Sequence, residues 1–189
     1  MQSLITLDQN LSAVFSTFVG DHFLLATTFK ILGVGLVYLI PLILLTMWFT
    51  ASRKIALQAM IAGVFAWEGL SKVIANAVNR DRPAMSQIGA KELIFHRPDT
   101  SFPSDHAAFL VAITVTFYLM GQKRYGHLAL VMALIVGISR VGIGVHFPGD
   151  ILAGYLVGTV TALLFHMIRQ PLDRYVIEPL IKIARKLHI

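Results

Sequence analysis

Five long apolar runs constrain what this chain can fold into more than any other feature. They cover residues 22–49, 55–78, 107–120, 128–145 and 151–168, and a helix needs about 20 such residues to cross a bilayer. The third run is short and is expected to extend back to Ser104. Composition agrees, with 56% of the 189 residues hydrophobic, 14% charged and a mean hydropathy of +0.72, far from the mix of a soluble domain. The expected fold is all-α, a polytopic membrane helix bundle of five to six transmembrane helices forming one domain over 1–189.

The two ends read differently from the core at 22–170. Residues 3–19 are apolar but interrupted by Asp8, Gln9 and Asn10, so 1–20 is expected to be a surface-lying helix, with an extra span as the alternative. Residues 171–189 alternate basic and aliphatic positions at helical spacing, which predicts an amphipathic helix on a membrane face. The N-terminus lacks the basic region of a signal peptide and is expected to be retained. Zero cysteines exclude disulfides, thiolate metal sites and cysteine nucleophiles. The formal charge of +6 sits at run ends or in one polar cluster, which fits topology and anion binding better than nucleic acid.

Five spans put the ends of the second and fourth runs, and the starts of the third and fifth, on one side. The other side receives Arg53, Lys54, Lys123, Arg124, Arg169, Arg174, Lys182, Arg185 and Lys186, so by the positive-inside rule the first side faces away from the cytoplasm. All the chemistry-bearing segments fall on that first side. The long connection from Arg80 to Pro103, rich in charge, proline and glycine, is the natural lid or substrate rim.

Within the second run Glu68, Lys72, Asn76 and Asn79 are spaced to share one helical face. Intramembrane charges mark pathways or sites by default; the plainer alternative is a self-neutralising Glu68–Lys72 pair. The stripe leads into Asn79-Arg80-Asp81-Arg82-Pro83, where Arg82 offers a planar fork of donors suited to phosphate oxygens. Ser101-Phe102-Pro103-Ser104-Asp105-His106 then opens the third run with residues typical of a helix start. Its free N–H groups form an anion site, Ser104 adds a hydroxyl, and His106 sits where a bound phosphate would. Simple capping by Ser104 is the alternative. In Ser139-Arg140-Val141-Gly142-Ile143-Gly144-Val145-His146-Phe147-Pro148-Gly149-Asp150 a charged arginine and a histidine interrupt apolar helix. Asp150, in the first turn of the fifth run, is placed to reach back to His146, fix its tautomer and leave the other nitrogen free to attack; a structural Asp/His cap is the alternative.

Read in order as R-P, P-S-x-H and S-R-x5-H-x3-D, these segments resemble the type 2 phosphatidic acid phosphatase superfamily, over about 80 residues from Lys72 to Asp150. The wording S-F-P-S-D-H is similar to that of bacterial undecaprenyl-diphosphate phosphatases of the bacitracin-resistance type. One departure is plain: the superfamily's first motif reads K-x6-R-P, yet Ala75 holds the lysine position and Lys72 lies three residues earlier, on the same helical face and with a long stem.

The resemblance implies a bacterial inner-membrane enzyme with its active site on the extracytoplasmic side. It implies His146 as covalent nucleophile, His106 as acid and then base, and Asp150 as the orienting carboxylate. Arg82, Arg140, Ser104 and Lys72 would bind phosphate, with the Asp105 backbone and, more weakly, Asn79. Asp105 carries a carboxylate close to the anion and is given no catalytic role. No carboxylate cluster with metal spacing accompanies these groups, so neither metal nor cofactor is expected. The expected partners are a lipid phosphate or diphosphate and the surrounding membrane lipids, with no nucleic acid or protein partner. Undecaprenyl diphosphate is the leading substrate; phosphatidylglycerol phosphate, phosphatidate, a lipid A phosphate, or transfer to an alcohol acceptor are alternatives, and a lipid transporter is the reading from another class. His22, His127, His166 and His188 are read as interfacial or packed, and His96, near Lys91 and Arg97, as a candidate substrate contact.

Overall fold

The computed structural model describes residues 2–50, 52–83, 93–94 and 100–187, which hold helices and their connections and no strand. We number the helices α1 (Gln2–Asp21), α2 (Phe23–Thr50), α3 (Arg53–Val78), α4 (Asp105–Leu119), α5 (Lys123–Gly142), α6 (Pro148–Met167) and α7 (169–186). Among them α2, α3, α5 and α6 are long and apolar enough to cross a membrane, and α4 is a shorter apolar helix. All five apolar runs are thus helical, four of them at spanning length. Pro148 occupies the first turn of α6, where its missing N–H costs nothing. The fourth run stops being helical at Gly142 rather than Val145, because Gly144 adopts a φ of 77° and turns the chain.

The hub is α4. It is apolar all round, and most of its 15 residues are buried, with Leu110, Ile113 and Phe117 fully enclosed, as expected of a helix surrounded by others. Its hydroxyls cause no penalty because Thr114 and Thr116 donate to the carbonyls of Leu110 and Ala112 one turn back, each at 2.8 Å. Small residues let α6 approach closely: Gly154 and Gly158 lie against Ala107, Ala108 and Ala112 of α4, the small-xxx-small device of membrane helix packing. A Cβ on Gly158 would collide with the Ala108 carbonyl oxygen and stand 2.9 Å from the Ala112 nitrogen. Neither backbone atom is free to yield, so Gly158→Ala is expected to destabilise the protein by about 1–3 kcal/mol. A melting temperature in detergent equal to wild type would contradict this.

Two local departures from regular helix matter for the site. Residues Phe65–Ser71 of α3 form a π-helical segment, which adds a residue to the turn and rotates the rest of the helix about its axis. Glu68 is therefore out of phase with Lys72 and Asn76, which follow in regular helix. Glu68 and Lys72 are both exposed and form no ion pair with each other, so the self-neutralising alternative does not hold. Asn79 closes α3 in the left-handed conformation at φ 48°, a position asparagine tolerates.

The ends dock at opposite poles. Asp173 of α7 accepts from Gln58 at 2.6 Å and pairs with Lys54 at 2.7 Å, fixing the tail at the start of α3. At the other pole, Phe15 of α1 packs with Val141 and edge-on to Phe29, and Asp8 accepts from the Gly149 amide at 2.7 Å. These contacts lay α1 across the ends of α5 and α6, with Leu4, Leu7, Leu11, Val14 and Phe18 exposed.

Candidate active site

The end of α3, the start of α4, the turn after α5 and the start of α6 converge at one pole. Backbone bonds join them: the Ser101 amide donates to Arg80 O at 2.7 Å, and the Ser104 amide to Asp150 O at 3.0 Å. Arg82, 4% exposed, donates from a guanidinium nitrogen to Val145 O at 2.7 Å. The Ser101 hydroxyl donates to Asp81 O at 3.0 Å. A cleft of about 170 Å³ opens here, lined by Lys72, Asn76, Arg82, Asp105 and His146 among others.

His146 is 1% exposed. Its Nδ1 lies 2.8 Å from Ser101 O and 3.7 Å from the Asp150 carboxylate. A carbonyl oxygen only accepts, so Nδ1 carries the proton and Nε2 carries the lone pair. Nε2 is buried and has no hydrogen-bond partner, a state that normally costs free energy unless a ligand completes it. Burial is the largest influence on this imidazole, and with the charges of Arg140 and Arg82 it pushes the pKa down to about 4, against the upward pull of Asp150. The ring is therefore neutral at pH 7.

The Ser101 carbonyl is thus the nearer partner of His146 Nδ1, with the expected Asp150 carboxylate beside it at 3.7 Å. Asp150 is occupied elsewhere. One oxygen accepts from the Phe147 amide at 2.9 Å, capping α6, and the other pairs with Arg80 at 2.7 Å. Its carboxylate is fully buried and acts on His146 through charge at 3.7 Å. Sequence reasoning missed Ser101 because the contact is made by its backbone, which no side-chain pattern reports. It also missed Arg80 and Asp8, which pair at 2.7 Å.

Asp105 lines the cleft and also holds His106. Its Oδ1 accepts both the His106 amide and the His106 Nδ1–H, each at 2.7 Å, leaving Nε2 for proton transfer. Ser104 is the N-cap residue of α4, yet its hydroxyl does not cap the helix and stays buried without a partner; the capping alternative fails. Lys72 lines the cleft and has no protein partner among the described residues, so its ammonium is available to an anion. Arg140, 2% exposed, is buried at the end of α5. Asn79 does not line the cleft; its part is to end α3.

The remaining histidines follow the plain reading. His22 and His127 place Nδ1 2.8 and 2.6 Å from carbonyls one turn back, and His166 pairs with Arg169. His96, Lys91, Arg97 and His188 lie outside the described residues, as does most of the expected lid. Among the described residues no three His, Asp or Glu side chains converge as metal ligands.

Comparison with known proteins places this geometry in context. A family model described as the PAP2 superfamily matches residues 54–174. The bacitracin transport permease protein BcrC of Bacillus licheniformis is 37% identical over 131 residues, 68% of this chain and 64% of that one. The undecaprenyl-diphosphatase BcrC of Bacillus subtilis is 34% identical over 127 residues, 66% and 64% of the two chains. The chain thus spans somewhat under two thirds of the length of these relatives. Among solved structures, the first transmembrane PAP2 type phosphatidylglycerolphosphate phosphatase from Bacillus subtilis superposes with a TM-score of 0.68 at 22% identity, over 93% of this chain and 90% of that one, a likeness of fold.

Proposed function

Because the chain belongs to the PAP2 superfamily, we propose that it is a multi-pass membrane lipid phosphatase that works through a covalent phosphohistidine at His146. The observation that carries this is the buried, unpartnered Nε2 of His146 beside a cleft lined by Lys72 and Arg82. In the first step Nε2 attacks the terminal phosphorus, forming an N–P bond as the P–O bond to the lipid oxygen breaks. His106, as imidazolium, gives its Nε2 proton to that departing oxygen. In the second step His106 takes a proton from water, the hydroxyl attacks phosphorus, and the N–P bond breaks to release inorganic phosphate. Lys72, Arg82, Arg140 and the Ser104 hydroxyl stabilise charge on the equatorial oxygens, the main demand of phosphoryl transfer.

Undecaprenyl diphosphate is the proposed substrate, which would place the enzyme in carrier-lipid recycling for cell-wall synthesis. The name of the Bacillus subtilis relative, an undecaprenyl-diphosphatase, and the S-F-P-S-D-H wording support it. Segregation of basic residues to the pole opposite the cleft supports an extracytoplasmic site. The test is phosphate release from undecaprenyl diphosphate against phosphatidylglycerol phosphate, each with and without chelator. We expect preference for the diphosphate and an undiminished rate in chelator, because cationic side chains supply the charge. A preference for phosphatidylglycerol phosphate would reassign the substrate, and loss of activity in chelator would overturn the metal-free mechanism.

The depressed pKa of His146 gives a further expectation. A free imidazole loses its nucleophile as pH falls through 6.5, whereas this one keeps it until pH approaches 4. Rapid-quench phosphoenzyme formation should persist at about pH 5.5, between those two values; an acid limb near 6.5 would contradict the burial argument. The same shift links to stability. The unfolded state binds the proton near 6.5 and the folded state near 4, so this group's contribution is complete above 6.5 and lost as pH falls toward 4.

A further inference from the structure

The segment matched by the superfamily begins at residue 54, yet α1, well before it, reaches the catalytic turn through one carboxylate. Both oxygens of Asp8 are used there. Oδ2 pairs with Arg80 at 2.7 Å, and Oδ1 accepts from the Gly149 amide at 2.7 Å. Arg80 in turn pairs with Asp150 at 2.7 Å, and its guanidinium stacks 3.9 Å above the Phe147 ring. The approach is close: a Cβ on Gly149 would stand 3.0 Å from Asp8 Oδ2, which explains glycine at that position. Phe147, Gly149 and Asp150, in the turn directly after His146, are therefore each held by Asp8 or by the arginine it anchors.

We propose that Asp8 is a positioning residue for the His146 turn, acting through Arg80 and Gly149, and that α1 is thereby part of the catalytic apparatus rather than a peripheral anchor. The proposal rests on the phosphohistidine reading of the site. Its physical basis is charge and geometry together. Arg80 is shared between two carboxylates, so Asp150 is held in place without being fully neutralised, and it keeps negative charge facing the His146 ring as that ring becomes cationic on phosphorylation. Arg82, Arg140 and Lys72 contribute the positive charges around the same ring, and Asp105 a second negative one. With Asp8 neutral, Arg80 is free to turn wholly onto Asp150, and the Gly149 amide loses its charged acceptor. A plain docking role for α1 predicts only loss of stability.

The test uses the full chain in detergent with farnesyl diphosphate as probe, comparing wild type, Asp8→Asn, Arg80→Gln, the double variant and His146→Ala. Misplacing a reacting group by a fraction of an ångström to about 1 Å costs up to about a hundredfold. We therefore expect Asp8→Asn to lower kcat by about tenfold or more, with KM changed less than about twofold. The double variant should fall well short of the product of the two single losses, because the two residues act largely as one unit. Arg80→Gln should also move the acid limb of phosphoenzyme formation upward, since a positive charge leaves the vicinity of His146. An unchanged kcat for Asp8→Asn, multiplying effects in the double variant, or full turnover restored by assaying at a temperature where the variant is folded would each overturn the proposal. Arg80→Lys, which retains the charge, carries the same kcat and KM comparison if Asp8→Asn does not fold. His146→Ala separates the two levels: a dead His146→Ala beside a fully active Asp8→Asn defeats this inference alone, whereas an active His146→Ala defeats the site reading beneath it.

Discussion

Replacing His146 with alanine is expected to abolish phosphate release, with a loss on the order of 10⁵-fold, because removing a covalent nucleophile leaves only binding and charge stabilisation. The fold should survive. The ring makes one hydrogen bond, to Ser101 O at 2.8 Å, worth about 1 kcal/mol net, and it lies in a turn and not among the packed helices of the core. The variant should therefore purify normally, bind substrate through Lys72 and Arg82, and fail to turn it over. His146→Gln keeps more of the volume and should be equally inactive, since an amide nitrogen has no lone pair to offer phosphorus.

The second large effect concerns Arg82. It is 4% exposed, donates to Val145 O at 2.7 Å and lines the cleft. It thus braces the turn carrying His146 and, in the proposed mechanism, presents charge to the phosphate. Arg82→Ala is expected to lower kcat/KM by about 10²–10³-fold, the usual cost of losing one preorganised donor to a developing anion. Arg82→Lys should recover only part of this, because an ammonium restores the charge but not the planar fork that reaches Val145 O and an anion together. Equal activity of the lysine variant and wild type would show that charge alone matters and that the bond to Val145 does not.

How much of this was legible in the sequence depends on what kind of atom does the work. Membrane spans are written in side-chain hydropathy, and five helices stand at or within a few residues of the runs that predict them. Their ends differ where backbone geometry intervened: Gly144 turns the chain before His146, the π segment Phe65–Ser71 took Glu68 out of phase with Lys72, and Asn79 left the helix in the left-handed conformation. Lys72 and Ala75 both line the cleft, so the ammonium is available at the site although the spacing departs from the superfamily's motif.

Polar residues interrupting apolar helix were legible as a set, and of these Lys72, Arg82, Asp105 and His146 line one cleft. Their pairing was not. Spacing suggested His146 with Asp150, but the Ser101 carbonyl, invisible to any residue pattern, is closer by 0.9 Å, the difference between 2.8 and 3.7 Å. Asp105 looked like an electrostatic liability and instead orients His106. Asp8 looked like a blemish in an apolar helix and instead reaches residues more than 70 positions away. In each case the deciding partner was a backbone group or a residue distant in sequence, and only the fold brings these together.

The central claim is a covalent bond between His146 and phosphorus, and the most direct measurement is to trap it. Acid-sparing rapid quench of the purified protein with radiolabelled substrate, followed by peptide mass spectrometry, should find one phosphate on the peptide containing His146. That label should be stable in base, labile in acid and absent from His146→Ala. Phosphate release at the full rate with no label on His146, or with the label on another residue, would contradict the account.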